Sequence, residues 1–224
     1  MHLRSLWLLP LLAIIAAIAY GLRIDFDQKA ISVALKMAPA LLMALHVILQ
    51  RGKASAAMFW ALLLHAAGDG FLDLGKQYLL FGIGAFFLGH FGYLASFWPK
   101  RRPWRELPGA VKSLIVVVVL LMVGLNAAIW PRMPGVLAAA APIYALVLTA
   151  MTVMALAGKW NGPWVALGAL LFLFSDVLIG LRMFLDEKTL AFLIWPTYVA
   201  AQLLIPLGWL ATPWRYDGAA EGRL

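Results

Sequence analysis

The sequence predicts an all-α fold, a polytopic transmembrane helical bundle of about eight spans with no soluble domain. Three observations carry that prediction. Of 224 residues, 64% are Ala, Val, Ile, Leu, Met, Phe, Trp, Tyr or Cys, and 19 glycines come besides; soluble domains stand at roughly 45–50% with glycine included. Only 12% of the residues are charged, and the mean hydropathy is +0.91. A spanning helix takes roughly 20 residues, so eight use about 160 and leave only connecting loops. The same composition excludes disorder, which needs low hydrophobicity. With no cysteine, disulfides, a catalytic thiol and thiolate-held metals are excluded.

Each span is delimited by basic or turn-forming residues. The first, 5–22, follows Arg4 and ends in small residues around Ala17-Ile18-Ala19. That pattern also suits a signal peptide, but seven further apolar segments favour a first transmembrane helix. The second, 30–50, lies between Arg23-Ile24-Asp25-Phe26-Asp27 and Arg51-Gly52-Lys53; the third, 54–74, stops at Gly75-Lys76. The fourth, 78–98, meets Pro99-Lys100-Arg101-Arg102-Pro103, and the fifth, 109–129, meets Pro131-Arg132-Met133-Pro134. The sixth, 135–157, ends at Gly158-Lys159-Trp160-Asn161-Gly162-Pro163; the seventh, 162–183, ends before Asp186-Glu187-Lys188, and the eighth covers 189–211. The chain reads as one transmembrane domain over 1–224.

Eight spans put both termini on one side. That side holds Arg4, Arg51, Lys53, Lys100, Arg101, Arg102, Arg105, Lys112, Lys159, Arg215 and Arg223, most of the 18 basic residues. The other holds Arg23, Lys29, Lys76, Arg132, Arg182 and Lys188. The positive-inside rule therefore predicts cytoplasmic termini in a bacterial inner membrane. The net charge of +8 follows from topology and anionic headgroups, so no nucleic-acid partner is expected. Trp98, Trp104, Trp160, Trp164, Trp209 and Trp214 fall near span ends, as an aromatic belt would. Pro39, Pro142, Pro196 and Pro206 are expected to interrupt spans.

Ionisable groups inside spans are functional-site candidates by default. His65, Asp69 and Asp73 recur every fourth residue in the third span and so share one helix face. Gly68 and Gly70 flank Asp69 and leave room for a neighbouring helix or a ligand. Asp176 is the one acid in an otherwise apolar seventh span. From the cytoplasmic edge, Asp69 and Asp176 both stand about 21–23 Å deep, so one site can use both. Lys36, Asn126, Tyr198 and Gln202 reach a similar zone toward the outer face, with His90 deeper and His46 deeper still. Each has a packing role open to it: snorkelling for Lys36, a solvated cap for Asp73, interhelical hydrogen bonds for the histidines, Asn126 and Gln202. A metal site drawn from His65, Asp69, His90 and Asp176 is a further alternative.

Two carboxyl groups in one pocket can divide roles, one a protonated acid and one an ionised base. No phosphate-binding glycine loop, Gly-x-Ser-x-Gly elbow or His-Glu-x-x-His is present.

The ordered set of Lys36-Met37-Ala38-Pro39, Gly68-Asp69 with Leu72, Phe86-Phe87-Leu88-Gly89-His90-Phe91-Gly92-Tyr93, Tyr144 with Met151, Ser175-Asp176-Val177-Leu178-Ile179, and Tyr198 with Gln202 resembles the YhhN family of bacterial membrane proteins, which includes lysoplasmalogenases. The resemblance covers nearly the whole chain. It implies a membrane hydrolase that cleaves the vinyl ether of lysoplasmalogens to a fatty aldehyde and glycerophosphoethanolamine or glycerophosphocholine, without cofactor or metal. It implies Asp69 and Asp176 as the catalytic pair. Lys36, His65, Asp73, His90, Asn126, Tyr144, Ser175, Tyr198 and Gln202 are the candidates for substrate contact; Asp73 departs from the family pattern, where an apolar residue is usual. The expected partners are a lysophospholipid and membrane lipid, with no obligatory protein partner. The runner-up reading is a small-molecule or ion transporter using buried Asp and Lys. An intramembrane aspartyl protease ranks lower, because Ala67-Gly68-Asp69 lacks the Gly-x-Gly-Asp pattern.

Overall fold

The computed structural model describes residues 7–22 and 28–213. They form eight helices: α1 (Leu8–Gly21), α2 (Lys29–Arg51), α3 (Ala56–Leu74), α4 (Leu79–Phe97), α5 (Gly109–Ile129), α6 (Leu137–Ala157), α7 (Trp164–Leu185) and α8 (Ile194–Ala211). Among the described residues the only extended pairing is a single bridge between Arg101 and Gly158. Helices α2 to α8 are each long and apolar enough to cross a membrane; the chain is a multi-pass membrane protein. Helix α1 has 14 residues, about 21 Å at the helical rise, shorter than the 5–22 span expected for it. Residues 5 and 6, with Arg4, Arg23, Asp25, Asp27, Trp214, Arg215 and Arg223, lie outside the described residues.

Helices α2, α3, α4, α6, α7 and α8 pack side by side in that order, and α8 closes back on α2. Helix α1 lies against α2 and α8, and α5 against α6 and α7. With weak hydrophobic drive between helices in lipid, close contact depends on small residues. A Cβ on Gly92 of α4 would stand 2.9 Å from the Ala57 carbonyl oxygen and 2.8 Å from the Ala61 Cβ on α3. A Cβ on Gly208 of α8 would stand 2.9 Å from the Val165 backbone nitrogen on α7. These two seams set the distance between the helix pairs that carry the polar residues.

The prolines expected to interrupt spans leave the helices continuous. Pro39, Pro142 and Pro206 sit inside α2, α6 and α8, which run on through them. Pro196 instead lies in the first turn of α8, where its missing N–H would have had no helical acceptor.

The two ends of the bundle differ. At one end, basic side chains serve the carbonyl ends of helices. Arg51 donates to the Leu210 and Thr212 carbonyls at 2.6 and 2.7 Å, Lys100 to Pro213 at 2.9 Å, and Arg102 Nε to Ala157 at 3.2 Å. The negative ends of α6 and α8 are thereby neutralised. Two of the tryptophans expected in an aromatic belt are also used inside the fold. Trp209 is buried and donates to the Ser96 carbonyl at 3.2 Å; Trp160 donates to Ala155 at 2.6 Å and packs edge-on against Phe97. The indole N–H of each finds a backbone acceptor within the bundle, which keeps the ring there. Trp98, Trp104 and Trp164 are exposed.

Candidate functional site

The other end, where the 75–78, 130–136 and 186–193 connections lie, opens into a cavity of about 1330 Å³ walled by all eight helices. Its walls are mainly apolar: Ile14 and Ile18 from α1, Phe86 from α4, Met122 and Ile129 from α5, Leu148 from α6, Leu203 from α8. Lys36, Asp69, Asn126, Tyr144, Ser175, Asp176 and Tyr198 also line it.

Asp69 is held by what flanks it. A Cβ on Gly68 would stand 2.6 Å from the Phe86 ring, and a Cβ on Gly70 would stand 2.9 Å from the Met37 sulfur. The two glycines therefore admit Phe86 from α4 and Met37 from α2 on either side of the carboxyl. Asp69 is 2% exposed. Its Oδ2 accepts a hydrogen bond from the Tyr198 hydroxyl at 2.6 Å. That hydroxyl accepts in turn from Gln202 Nε2 at 2.7 Å, and Gln202 Oε1 accepts from Tyr93 at 2.9 Å.

Asp176 has a parallel arrangement. Its Oδ2 accepts from the Tyr144 hydroxyl at 2.5 Å, and His90 Nε2 lies 3.1 Å from the same hydroxyl oxygen. Because Tyr144 gives its proton to the carboxyl, the hydrogen bond to His90 requires the proton on His90 Nε2. Each carboxyl thus receives a phenol, and each phenol receives an N–H. The second carboxylate oxygen of each, Oδ1, has no partner among the described residues and is left for the cavity. Asp69, Asp176 and Lys36 all line the one cavity.

Four sequence candidates stand off the cavity lining. Gln202 and His90 act behind the wall through the tyrosines. His65 is fully buried among Phe86, His90, Tyr93 and Phe172, with ring centroids 4.8 to 5.3 Å away. Asp73 accepts from Tyr20 and Ser32, each at 2.8 Å, and pairs with Lys29 at 3.3 Å; it ties α1 and α2 to the end of α3. Among the cavity residues, Ser175 donates its hydroxyl to the Ile194 carbonyl at 3.0 Å, and Asn126 donates one amide hydrogen to the Met122 carbonyl at 2.8 Å. His46, deeper, meets Gln50 at 2.7 Å. No group of three or more His, Asp or Glu converges as a metal site among the described residues.

Sequence reasoning passed over Tyr93 as a support for Gln202, Phe172 as part of the aromatic layer, and Arg182 as a cavity residue. The signal for Tyr93 was its place three residues after His90, on the same helix face as Phe86.

Fold and site together define a multi-pass helical membrane protein with a paired-carboxyl cavity in one half of the bundle. The YhhN family profile matches residues 31–209, and the chain belongs to the YhhN family. It is 34% identical over 152 residues to proteins named lysoplasmalogenase from Mycobacterium bovis and Mycobacterium tuberculosis, which covers 66% of this chain. The chain spans 58% of the length of those relatives. No solved structure matches it.

Proposed function

We propose that this chain is a lysoplasmalogenase: a bacterial inner-membrane enzyme, with both termini cytoplasmic, that hydrolyses the vinyl ether of lysoplasmalogens. The observation that carries the reading is the pair Asp69 and Asp176, each tied at Oδ2 by a tyrosine hydroxyl, on the wall of one large apolar cavity. The relatives named lysoplasmalogenase support it.

Vinyl ether hydrolysis needs a proton on the carbon remote from oxygen, then stabilisation of the oxocarbenium ion that forms. Water adds to that cation and gives a hemiacetal. The hemiacetal then breaks its carbon–oxygen bond to glycerol: its hydroxyl proton passes to one carboxyl while a proton from the other passes to the glycerol oxygen, releasing a fatty aldehyde and glycerophosphoethanolamine or glycerophosphocholine. One of Asp69 and Asp176 gives the proton from Oδ1. The other, ionised, stabilises the cation and takes a proton from the attacking water. The phenol on each Oδ2 fixes the carboxyl so that Oδ1 faces the substrate. Gln202 and His90 orient the phenols, and His65 packs behind them. Lys36 contacts the headgroup phosphate, Asn126 lies toward the mouth beside the headgroup, and Tyr198, Tyr144 and Ser175 border the glycerol. Asp73 holds the mouth together through Lys29, Tyr20 and Ser32.

The test is aldehyde release by the purified protein in detergent from lysoplasmenylcholine and lysoplasmenylethanolamine, beside Asp69→Asn and Asp176→Asn. Wild type should release aldehyde and each variant should lose at least about a hundredfold. A folded wild type that releases none overturns the reading and turns attention to transport in liposomes.

A further inference from the structure

Apart from Lys76, which is exposed and off the cavity lining, the described cations at the cavity end fall into two groups. Lys29 pairs with Asp73 at 3.3 Å, Lys188 with Asp186 at 2.7 Å, and Arg132 donates to the Ala128 carbonyl at 3.0 Å. Lys36 and Arg182 have no hydrogen-bond or ion-pair partner among the described residues, and both line the cavity. The polar contact of Lys36 is with the Tyr20 ring face, 5.7 Å from its centroid. An ammonium and a guanidinium without an ion-pair partner, Lys36 half-buried and Arg182 exposed at the mouth of an apolar-walled cavity, give an anion two cations to pair with. Acid catalysis needs one of the two carboxyls protonated, so the cavity then carries two cations against one carboxylate.

We propose that Lys36 and Arg182 form a phosphodiester subsite, which fixes the orientation of the lipid: phosphate toward the connections at the cavity end, chain toward the bilayer centre. This rests on the hydrolase reading and deepens it. Arg182 lies six residues past Asp176 on the same helix, about 9 Å along the axis. That separation is close to the reach of the glycerol backbone from a vinyl ether to the phosphorus. Arg182 is three residues before the end of α7, so the phosphate lies at the mouth and the reacting bond lies inward. Beyond Asp176 the walls supplied by Met122 and Leu148 are apolar and suit the hydrocarbon chain. The guanidinium matches two phosphate oxygens at once, and the ammonium adds a point charge.

Binding can be read without catalysis. The probes are lysophosphatidylcholine, a monoacylglycerol of the same chain, and inorganic phosphate, each at the same concentration against the protein in a non-ionic detergent, with thermal unfolding as readout. Lysophosphatidylcholine should raise the midpoint, the neutral lipid and phosphate alone should raise it far less, and Lys36→Gln and Arg182→Gln should each weaken apparent affinity about tenfold. Arg182→Lys should recover part of the loss. Equal stabilisation by the monoacylglycerol, or unchanged affinity in both variants, overturns the subsite; equal stabilisation by inorganic phosphate overturns its assignment to a lipid. In parallel, the wild-type KM should be lower for lysoplasmenylcholine than for the phosphate-free alkenylglycerol, and Arg182→Gln should narrow that ratio. Absence of aldehyde from either substrate would refute the hydrolase reading alone, since the unfolding shifts report the phosphate subsite independently.

Discussion

Replacing Tyr144 by Phe removes one oxygen atom and with it both halves of a relay: the 2.5 Å hydrogen bond to Asp176 and the 3.1 Å contact from His90. The ring itself should stay, since its edge-on packing against His90 at 5.3 Å needs no hydroxyl. A hydrogen bond to a carboxyl in this setting is worth about 1.5–3 kcal/mol. If Asp176 must be held in one orientation at the transition state, that energy appears in kcat, a loss of about tenfold to a hundredfold. KM for the lysolipid should change less than threefold, because the bond is made to the enzyme's own carboxyl. His90→Phe should cause a smaller loss alone and almost none on top of Tyr144→Phe, because His90 acts through that hydroxyl. The assay is steady-state aldehyde release in detergent for the two single variants and the double variant, with thermal unfolding to count folded protein. Full kcat in a folded Tyr144→Phe enzyme, or additive losses in the double variant, would refute the relay.

Other consequences follow from the packing. Gly92→Ala drives a methyl against the Ala57 carbonyl oxygen and Ala61, neither of which can rotate away, so unfolding in detergent should show a loss of about 1–3 kcal/mol. Asp73→Ala strands the Tyr20 and Ser32 hydroxyls and Lys29; it should cost about 2 kcal/mol of stability, while the folded fraction keeps its affinity for lysolipid. Arg51→Gln uncaps α8 by removing the bonds to Leu210 and Thr212; a fall of about 1 kcal/mol in stability, weaker at high salt, is expected.

The sequence by itself determined the solvent and hence the architecture. With so little charge and so much apolar surface, backbone polar groups must be satisfied within each segment, and helices satisfy them. Periodicity and the rarity of charge in lipid also marked Asp69 and Asp176, because an acid in a span has few explanations. Only the tertiary structure decided how such residues are used. His65, Asp69 and Asp73 share one face of α3 yet meet three different surroundings: an aromatic layer, a cavity wall, and an ion-paired mouth. Helical spacing fixes direction around one axis, but not which neighbour stands opposite. Likewise Trp209 is buried and Trp160 half-buried against Phe97, uses that their place near span ends did not foretell. The pairing of Tyr198 with Asp69 and of Tyr144 with Asp176 joins residues 129 and 32 positions apart. Such partners stand on different helices, α8 with α3 and α6 with α7, and which helices face each other is a property of the packed bundle rather than of any one segment.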